Sequence, residues 1–316
     1  MFMAEPLVSV LINNYNYGRF LREAIESALN QTYRNTEVIV VDDGSTDDSR
    51  EIIASYGDRI IPVLKENGGQ ASAFNAGFAA SRGNWVFFLD SDDVFHPTKV
   101  EKAMEYASHF TEAGFVAHNL EYCDGAGKPS TFPRPSFSEL QVVDDRKRAC
   151  RGKLSVFLPP TSALGLRREV LGQILPMPED IKITADDYVK FTGLALSPTL
   201  VIPEPLAIQR IHGSNLYTCE KQSEASKARK GVVGAQIAFR VLENFPFLSR
   251  LAWKVYGRAL CPLVTSRHPE TRKALKTIRK EYNLINFAPL PLLYVGGAIA
   301  MGIARQMRSL ATHRVS

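Results

Sequence analysis

Short apolar runs alternate with segments of helical periodicity through the first hundred positions of the chain. Residues 8–12 form one such run, and 38–41, 60–64 and 85–89 form three more. Runs of this length predict strands, and those at 8–12, 38–41 and 85–89 read as buried. Between the first two, Phe20, Leu21, Ala24, Ile25, Ala28 and Leu29 recur at three- and four-residue spacing, which predicts an amphipathic helix over 19–30. Ile52, Ile53 and Tyr56 predict a second helix, and a small-residue third carries Ala71, Ala73, Ala76, Gly77, Ala79 and Ala80. A β-α-β-α order predicts a parallel sheet with helices on both faces and ligands bound beyond the carboxyl ends of the strands.

The strand ends carry the chemistry. The first run gives way to Asn13-Asn14-Tyr15-Asn16-Tyr17-Gly18, the second to Asp42-Asp43-Gly44-Ser45-Thr46-Asp47-Asp48, and the fourth to Asp90-Ser91-Asp92-Asp93. Carboxylates crowded at one edge repel, and a divalent cation with oxygen ligands, Mg²⁺ or Mn²⁺, would hold Asp90 and Asp92 together and also bind substrate phosphates. A solvated acidic turn is the plainer alternative. Asp43 at a strand end could accept a hydrogen bond from a base or a ribose, or the segment could be a turn in which Asp47 or Thr46 caps the next helix. The Gly68-Gly69 turn either packs a helix closely on the sheet or presents N–H groups to a phosphate.

Three rival motifs fail. Asp90, Asp92 and Glu101 fit positions of a calcium loop, yet Val94 and Phe95 stand where that loop needs an oxygen ligand and a glycine. No Gly-x-x-x-x-Gly-Lys-Ser/Thr segment occurs, and no Gly-x-Gly-x-x-Gly follows the first strand, so ATPase and nicotinamide dehydrogenase readings lose their support.

Further along, 99–110 reads as a helix and 115–123 as a strand. Pro129, Pro133 and Pro135, with the basic run Arg146-Lys147-Arg148, read as surface loop. Residues 161–166 suggest a strand followed by a helix. Thr184 then reads as the N-cap of a helix whose first turn holds Asp186 and Asp187, which either serve the helix dipole or supply a general base. His212 is either an ordinary histidine or a ligand.

The 316 residues are 45% hydrophobic, enough for a packed core. Cys123, Cys150, Cys219 and Cys261 form no Cys-x-x-Cys pair, which argues against a zinc site or a disulfide framework and fits a cytoplasmic setting. The start of the chain reads as having no secretory signal. Charge is split: residues 1–218 hold 21 Lys and Arg against 28 Asp and Glu, a net −7, while 219–316 hold 17 against 5, a net +12. The basic third therefore suits an anionic partner.

Taken in order, these pieces resemble family 2 of the inverting glycosyltransferases. The motifs are Asn14-Tyr15-Asn16, Gln31-Thr32-Tyr33, Val41 through Asp47, Asn67-Gly68-Gly69 through Asn75-Ala76-Gly77, Leu89-Asp90-Ser91-Asp92-Asp93 with Pro97, and Arg210-Ile211-His212-Gly213-Ser214-Asn215. The resemblance covers residues 8 to about 216, roughly two-thirds of the chain. It implies an α/β GT-A fold, a Rossmann-like, mostly parallel sheet flanked by helices. It implies a nucleotide-diphosphate sugar as donor and a saccharide or lipid-linked acceptor, with no nucleic-acid partner.

Residue by residue, the resemblance sets Tyr15 against the nucleotide base and has Asp43 hydrogen-bond it. Asn13, Asn67, Gly69 and Asn75 complete the donor-binding set. Asp92 becomes the direct metal ligand, Asp90 lies nearer the ribose or sugar while sharing the metal, and His212 approaches the diphosphate or the metal. Asp187 becomes the catalytic base. Asp186 stands where the family commonly has Glu, which leaves the choice between the two carboxylates open. Asp93 reads as structural. Two other readings remain open at this point: a sugar-1-phosphate nucleotidyltransferase, which should carry a Gly- and Arg-rich loop after the first strand, and a non-catalytic carbohydrate- or lipid-surface module.

The expected division is a GT-A domain over 1–218 and a helical, basic extension over 219–316. Within the extension, 284–304 holds no charged residue and is followed by Arg305, Arg308 and Arg314. Pro289, Pro291 and Gly296-Gly297 argue against a straight spanning helix, which leaves peripheral membrane contact, packing or homo-oligomer contact as its readings.

Overall fold

The computed structural model describes residues 5–131, 136–213, 215, 223–266 and 268–282. The apolar segment 284–304, the arginines after it and Cys219 lie outside the described residues. The chain divides into two compact units, Met1–Arg146 with Ser155–Asn215, and Lys147–Leu154 with Leu216–Ser316.

The first unit opens with β1 (Val8–Asn14), α1 (Gly18–Leu29), β2 (Thr36–Asp43), α2 (Ser49–Ala54), β3 (Ile61–Lys65), α3 (Gln70–Ala80) and β4 (Trp85–Asp90). The order β3-β2-β1-β4 is parallel throughout. Alternate residues of a strand face opposite sides, so Phe87 and Phe88 enter different layers, and each is almost wholly buried. Burial of such a ring contributes about 1.5–3 kcal/mol. On one side Phe88 meets Phe74 of α3, ring centroids 4.7 Å apart. The apolar face expected for α1 is buried through Phe20, Leu21, Ala24, Ile25 and Ala28.

Asp47 joins two helix starts. Its Oδ2 accepts from Gly18 N (2.9 Å) at the head of α1, and its Oδ1 accepts from Ser49 N (3.1 Å) at the head of α2. Two otherwise orphaned N–H groups are thereby satisfied by one carboxylate.

The sheet continues through β5 (Val94–Phe95), α4 (Lys99–His109), β6 (Phe115–Asp124), β7 (Gln141–Val143), α5 (Arg146–Cys150), β8 (Leu164–Arg167), α6 (Arg168–Leu171), α7 (Ala185–Leu196) and β9 (Thr199–Ile211). Here it becomes mixed: β8 lies antiparallel between β4 and β6, β6 and β9 are parallel, and β5 and β7 pair antiparallel with β9. The basic run at Arg146 is helical rather than loop, a correction to the sequence reading. The long β9 was not legible, because Pro203 and Pro205 interrupt its apolar pattern. The fold absorbs them where the β6–β9 register shifts between His118 and Leu120, and Asn119 Nδ2 donates to Pro203 O at 2.7 Å.

The second unit contains α8 (Glu224–Asn244), α9 (Ser249–Val264) and α10 (Pro269–Glu281), helical as expected. Ala235, Ile237, Ala238, Leu251, Trp253, Leu263 and Ile278 are among its buried residues. No helix among the described residues is long and apolar enough to cross a membrane.

Candidate active site

Parallel pairing sets strand ends side by side. Asn13 is in register with Asp90 of β4, and Asn14 with Asp42 of β2. Asn13 Nδ2 donates to Asp90 Oδ1 and Asn14 Nδ2 to Asp42 Oδ2, both at 3.0 Å. The Oδ1 atoms of both asparagines are buried and find no hydrogen-bond partner among the described residues.

The two carboxylates of β2 have different work. Asp42 is fully buried and also accepts from Ser45 N (3.0 Å) and Arg50 Nε (2.9 Å). Burial opposes its ionisation, but hydrogen bonds from Ser45, Arg50 and Asn14 outweigh that and lower its pKa. Asp43 accepts from Lys65 Nζ (2.7 Å), Gly68 N (2.9 Å) and Gly69 N (2.7 Å). Gln70 N and Ala71 N, next in line, donate to Lys182 O and Ile181 O. The Gly-Gly turn and helix start therefore wrap the protein's own acceptors, and the alternative of a phosphate cradle there is overturned. Gly69 has φ +87, and a Cβ there would sit 2.7 Å from Lys182 Cα, so this approach requires glycine.

The strongest convergence lies at the end of β4. Asp92 Oδ2 is 3.0 Å from His212 Nε2 and accepts from Asn215 Nδ2 at 3.2 Å. His212 N in turn donates to Asn215 Oδ1, closing a short loop after β9. Asp93 is buried and accepts from Ser162 Oγ (2.6 Å) and Arg210 N (2.9 Å), which ties the acidic turn to β9. Buried Lys99 donates to Ser162 O at 2.7 Å beneath it. Burial first, then the charges of Asp92 and Asp186, push the Asp90 carboxyl up to about 7, against hydrogen bonds from Asn13 and Thr161. Burial, then the charges of Asp92 and Asp90, push the Tyr17 phenol up to about 12. The carboxylates at this strand edge thus oppose one another's ionisation.

The α7 start departs from expectation. Thr184 occupies the cap position with φ 52 and ψ 37, and its hydroxyl donates to Ile183 O instead of accepting from the helix. Gln70 Oε1 accepts from Ala185 N at 2.9 Å in its place. A β-branched residue in the left-handed region is strained, and such strain clusters at functional sites. Asp186 is buried and Asp187 is half-exposed; Lys190 Nζ reaches Oδ2 of the first at 3.0 Å and Oδ1 of the second at 2.6 Å.

Among the described residues, no three Asp, Glu, His or Cys side chains converge tightly enough to hold a metal ion on their own. The donor set at Asp92 and His212, with Asp90 beside them, nonetheless fits Mg²⁺ or Mn²⁺ in kind, with carboxylate oxygens and one imidazole.

A stability prediction follows from Asp90. Its usual carboxyl value is 3.8, so between there and about 7 the folded protein retains a proton that the unfolded chain has lost. Stability of the metal-free protein therefore falls as pH rises through that window, and the penalty is fully present above it. Asp90→Asn is expected to raise the melting temperature in EDTA at about pH 8 by at least roughly 2–4 °C, the equivalent of about 1 kcal/mol in a unit of this size. An unchanged or lower melting temperature would show that Asp90 is not under this strain.

Of the residues singled out in the sequence, the structure brings Asn13 to Asp90 and His212 to Asp92, and the charge of Asp186 reaches Asp90. Others stand apart from that cluster. Tyr15 is exposed on the loop after β1, and Asn67 is exposed beside Gly44. Asn75 grips a neighbouring loop, donating to Met177 O (2.9 Å) and accepting from Met177 N (2.8 Å). Thr161, Ser162 and Lys190 were not singled out. Only Lys190 left a signal, three and four residues after two acids on a predicted helix.

A parallel four-strand half has asparagines and aspartates at its carboxyl edge and is closed by a histidine just after β9, the arrangement of the GT-A fold. The profile of the family described as Glycosyl transferase family 2 matches residues 9–175, and the chain belongs to that family. An uncharacterised glycosyltransferase of Nostoc is 37% identical over 245 residues, 75% of each chain. A Bacillus subtilis glycosyltransferase, TuaG, whose name assigns it to teichuronic acid biosynthesis, is 34% identical over 175 residues, 54% of this chain and 66% of its own. The chain spans from 18% to 75% of the length of curated relatives it matches. Among solved structures, Staphylococcus aureus TarS in complex with UDP-GlcNAc is similar in fold, with TM-score 0.59 and 19% identity over 94% of this chain and 80% of that one.

Proposed function

We propose that this glycosyltransferase is metal-dependent and inverting, and moves a sugar from a nucleotide-diphosphate sugar to a hydroxyl of a saccharide or lipid-linked acceptor in cell-surface polysaccharide or glycolipid synthesis. The observation that carries the reading is the convergence of Asp92, His212 and Asn215 beside Asp90 at the strand edge. The names of two similar proteins, one tied to teichuronic acid biosynthesis and one crystallised with UDP-GlcNAc, support the donor and the setting.

Asp92 and His212, with Asp90 beside them, would hold a divalent cation, which when bound acts as a Lewis acid on the leaving diphosphate. Asn13 keeps the Asp90 carboxylate aimed at the donor. Asp187 takes the proton of the acceptor hydroxyl as that oxygen bonds to the anomeric carbon. The bond from that carbon to the diphosphate oxygen breaks on the opposite face, so configuration inverts and nucleoside diphosphate departs. Asp43 and Tyr15, at the ends of β2 and β1, take the base.

A thermal-shift screen of the full chain against UDP-, GDP- and dTDP-sugars tests this. One nucleotide is expected to raise the melting temperature in Mn²⁺ and far less in EDTA. Equal shifts in both, or none with any nucleotide, would contradict the metal-bridged donor site.

A further inference from the structure

Asp186 and Asp187 precede Lys190 by four and three residues, so one turn of α7 carries all three side chains to one face. The ammonium sits 3.0 Å from Asp186 Oδ2 and 2.6 Å from Asp187 Oδ1, bridging the pair. On an open helix face such contacts are weak and screened by salt. Here the Lys190 and Asp186 side chains are only 12% and 10% exposed, whereas Asp187 is 41% exposed and reaches toward solvent. Two of the three charges are thus withdrawn from water, and the third stays partly in solvent.

A buried ion pair is weak evidence of a stabilising role, since an apolar residue at the same place avoids the desolvation cost. Lys190 lies in a helix otherwise packed through Tyr188, Val189, Thr192 and Leu194, where an apolar side chain would fit the pattern. Burial alone would favour the neutral amine, but the charges of Asp186 and Asp187 outweigh it and raise the lysine above its ordinary range. Among the described residues, the charged group on another element shown to interact with the trio is Asp90 of β4, which feels the charge of Asp186.

We propose that Lys190 is a positioning residue for glycosyl transfer: its ammonium holds the Asp187 carboxylate in one orientation and cancels the charge of Asp186 beside it. The proposal rests on Asp187 being the base. Without the ammonium, Asp186 and Asp187 would face each other uncompensated, with Asp90 nearby, and that repulsion would favour the protonated form of Asp187. Its side chain would also lose a 2.6 Å contact that helps to orient it.

The test is the pH profile of kcat/KM for nucleotide-sugar turnover by the full chain, in wild type, Lys190→Met, Lys190→Gln, Lys190→Arg and Asp187→Asn. The acidic limb of Lys190→Met and Lys190→Gln is expected to move up by about one unit or more, so turnover drops about tenfold or more near neutrality and partly returns in alkali. Donor KM stays close to wild type, and Lys190→Arg leaves the limb in place. A merely structural lysine would lower turnover at every pH without moving the limb, and that result, or a limb unmoved in a fully active Lys190→Gln, overturns the proposal. If Lys190→Met fails to fold, shown by loss of the donor thermal shift, Lys190→Gln and Lys190→Arg decide. An Asp187→Asn variant as active as wild type, or a wild type without turnover, instead overturns the base assignment and the proposal with it. An inert Asp187→Asn beside an unmoved Lys190 limb overturns the lysine's role alone.

Discussion

Asp187→Asn is expected to lower transfer by about 10²–10⁴-fold at every pH, the usual contribution of a positioned general base. The amide keeps the size of the carboxylate and cannot accept the proton of the acceptor hydroxyl. Donor affinity should stay within about twofold of wild type, because the loss falls on the chemical step rather than on binding. Asp186→Asn is the control that separates the two acids. Asp186 is buried and spends Oδ2 on Lys190, whereas Asp187 is half-exposed. The smaller effect is therefore expected at Asp186, measured as kcat with saturating donor; the reverse ranking would move the base to Asp186.

The second large effect is expected at Asp92. Its Oδ2 gathers the His212 imidazole at 3.0 Å and the Asn215 amide at 3.2 Å, and its charge raises both Asp90 and Tyr17. On the proposed metal-bridged reading, Asp92→Asn weakens the hold on the leaving diphosphate and is expected to cost roughly 10²–10³-fold in kcat, the range for losing one preorganised electrostatic partner of a transition state. Manganese titration of turnover checks the cause: the concentration for half-maximal activity should rise about 10–100-fold. Loss of activity with an unchanged manganese curve would assign Asp92 to folding instead.

Much of this was legible in the chain because the parallel half writes itself locally. Apolar runs at 8–12, 38–41 and 85–89 are buried on both faces, so their boundaries coincide with abrupt changes to Asn and Asp. The mixed half was less legible because its information is not local. Proline at 203 and 205 hides a thirteen-residue strand whose bulge is defined only by its partner β6. Thr184 looks like a cap, yet the cap comes from Gln70, more than a hundred positions away. The Gly68-Gly69 turn has the composition of an anion cradle, but its donors are consumed by Asp43. Thr161 and Ser162 meet Asp90 and Asp93 only through the fold, and no spacing announces them.

The most direct measurement is nucleoside diphosphate release by the purified full chain from a panel of nucleotide sugars, with Mn²⁺ or EDTA, in wild type and Asp187→Asn. The account predicts release from one donor class in Mn²⁺, its loss in EDTA, and its near-abolition in a variant that still binds the donor. Release that persists unchanged in EDTA or in Asp187→Asn, or no release from any donor, would contradict it.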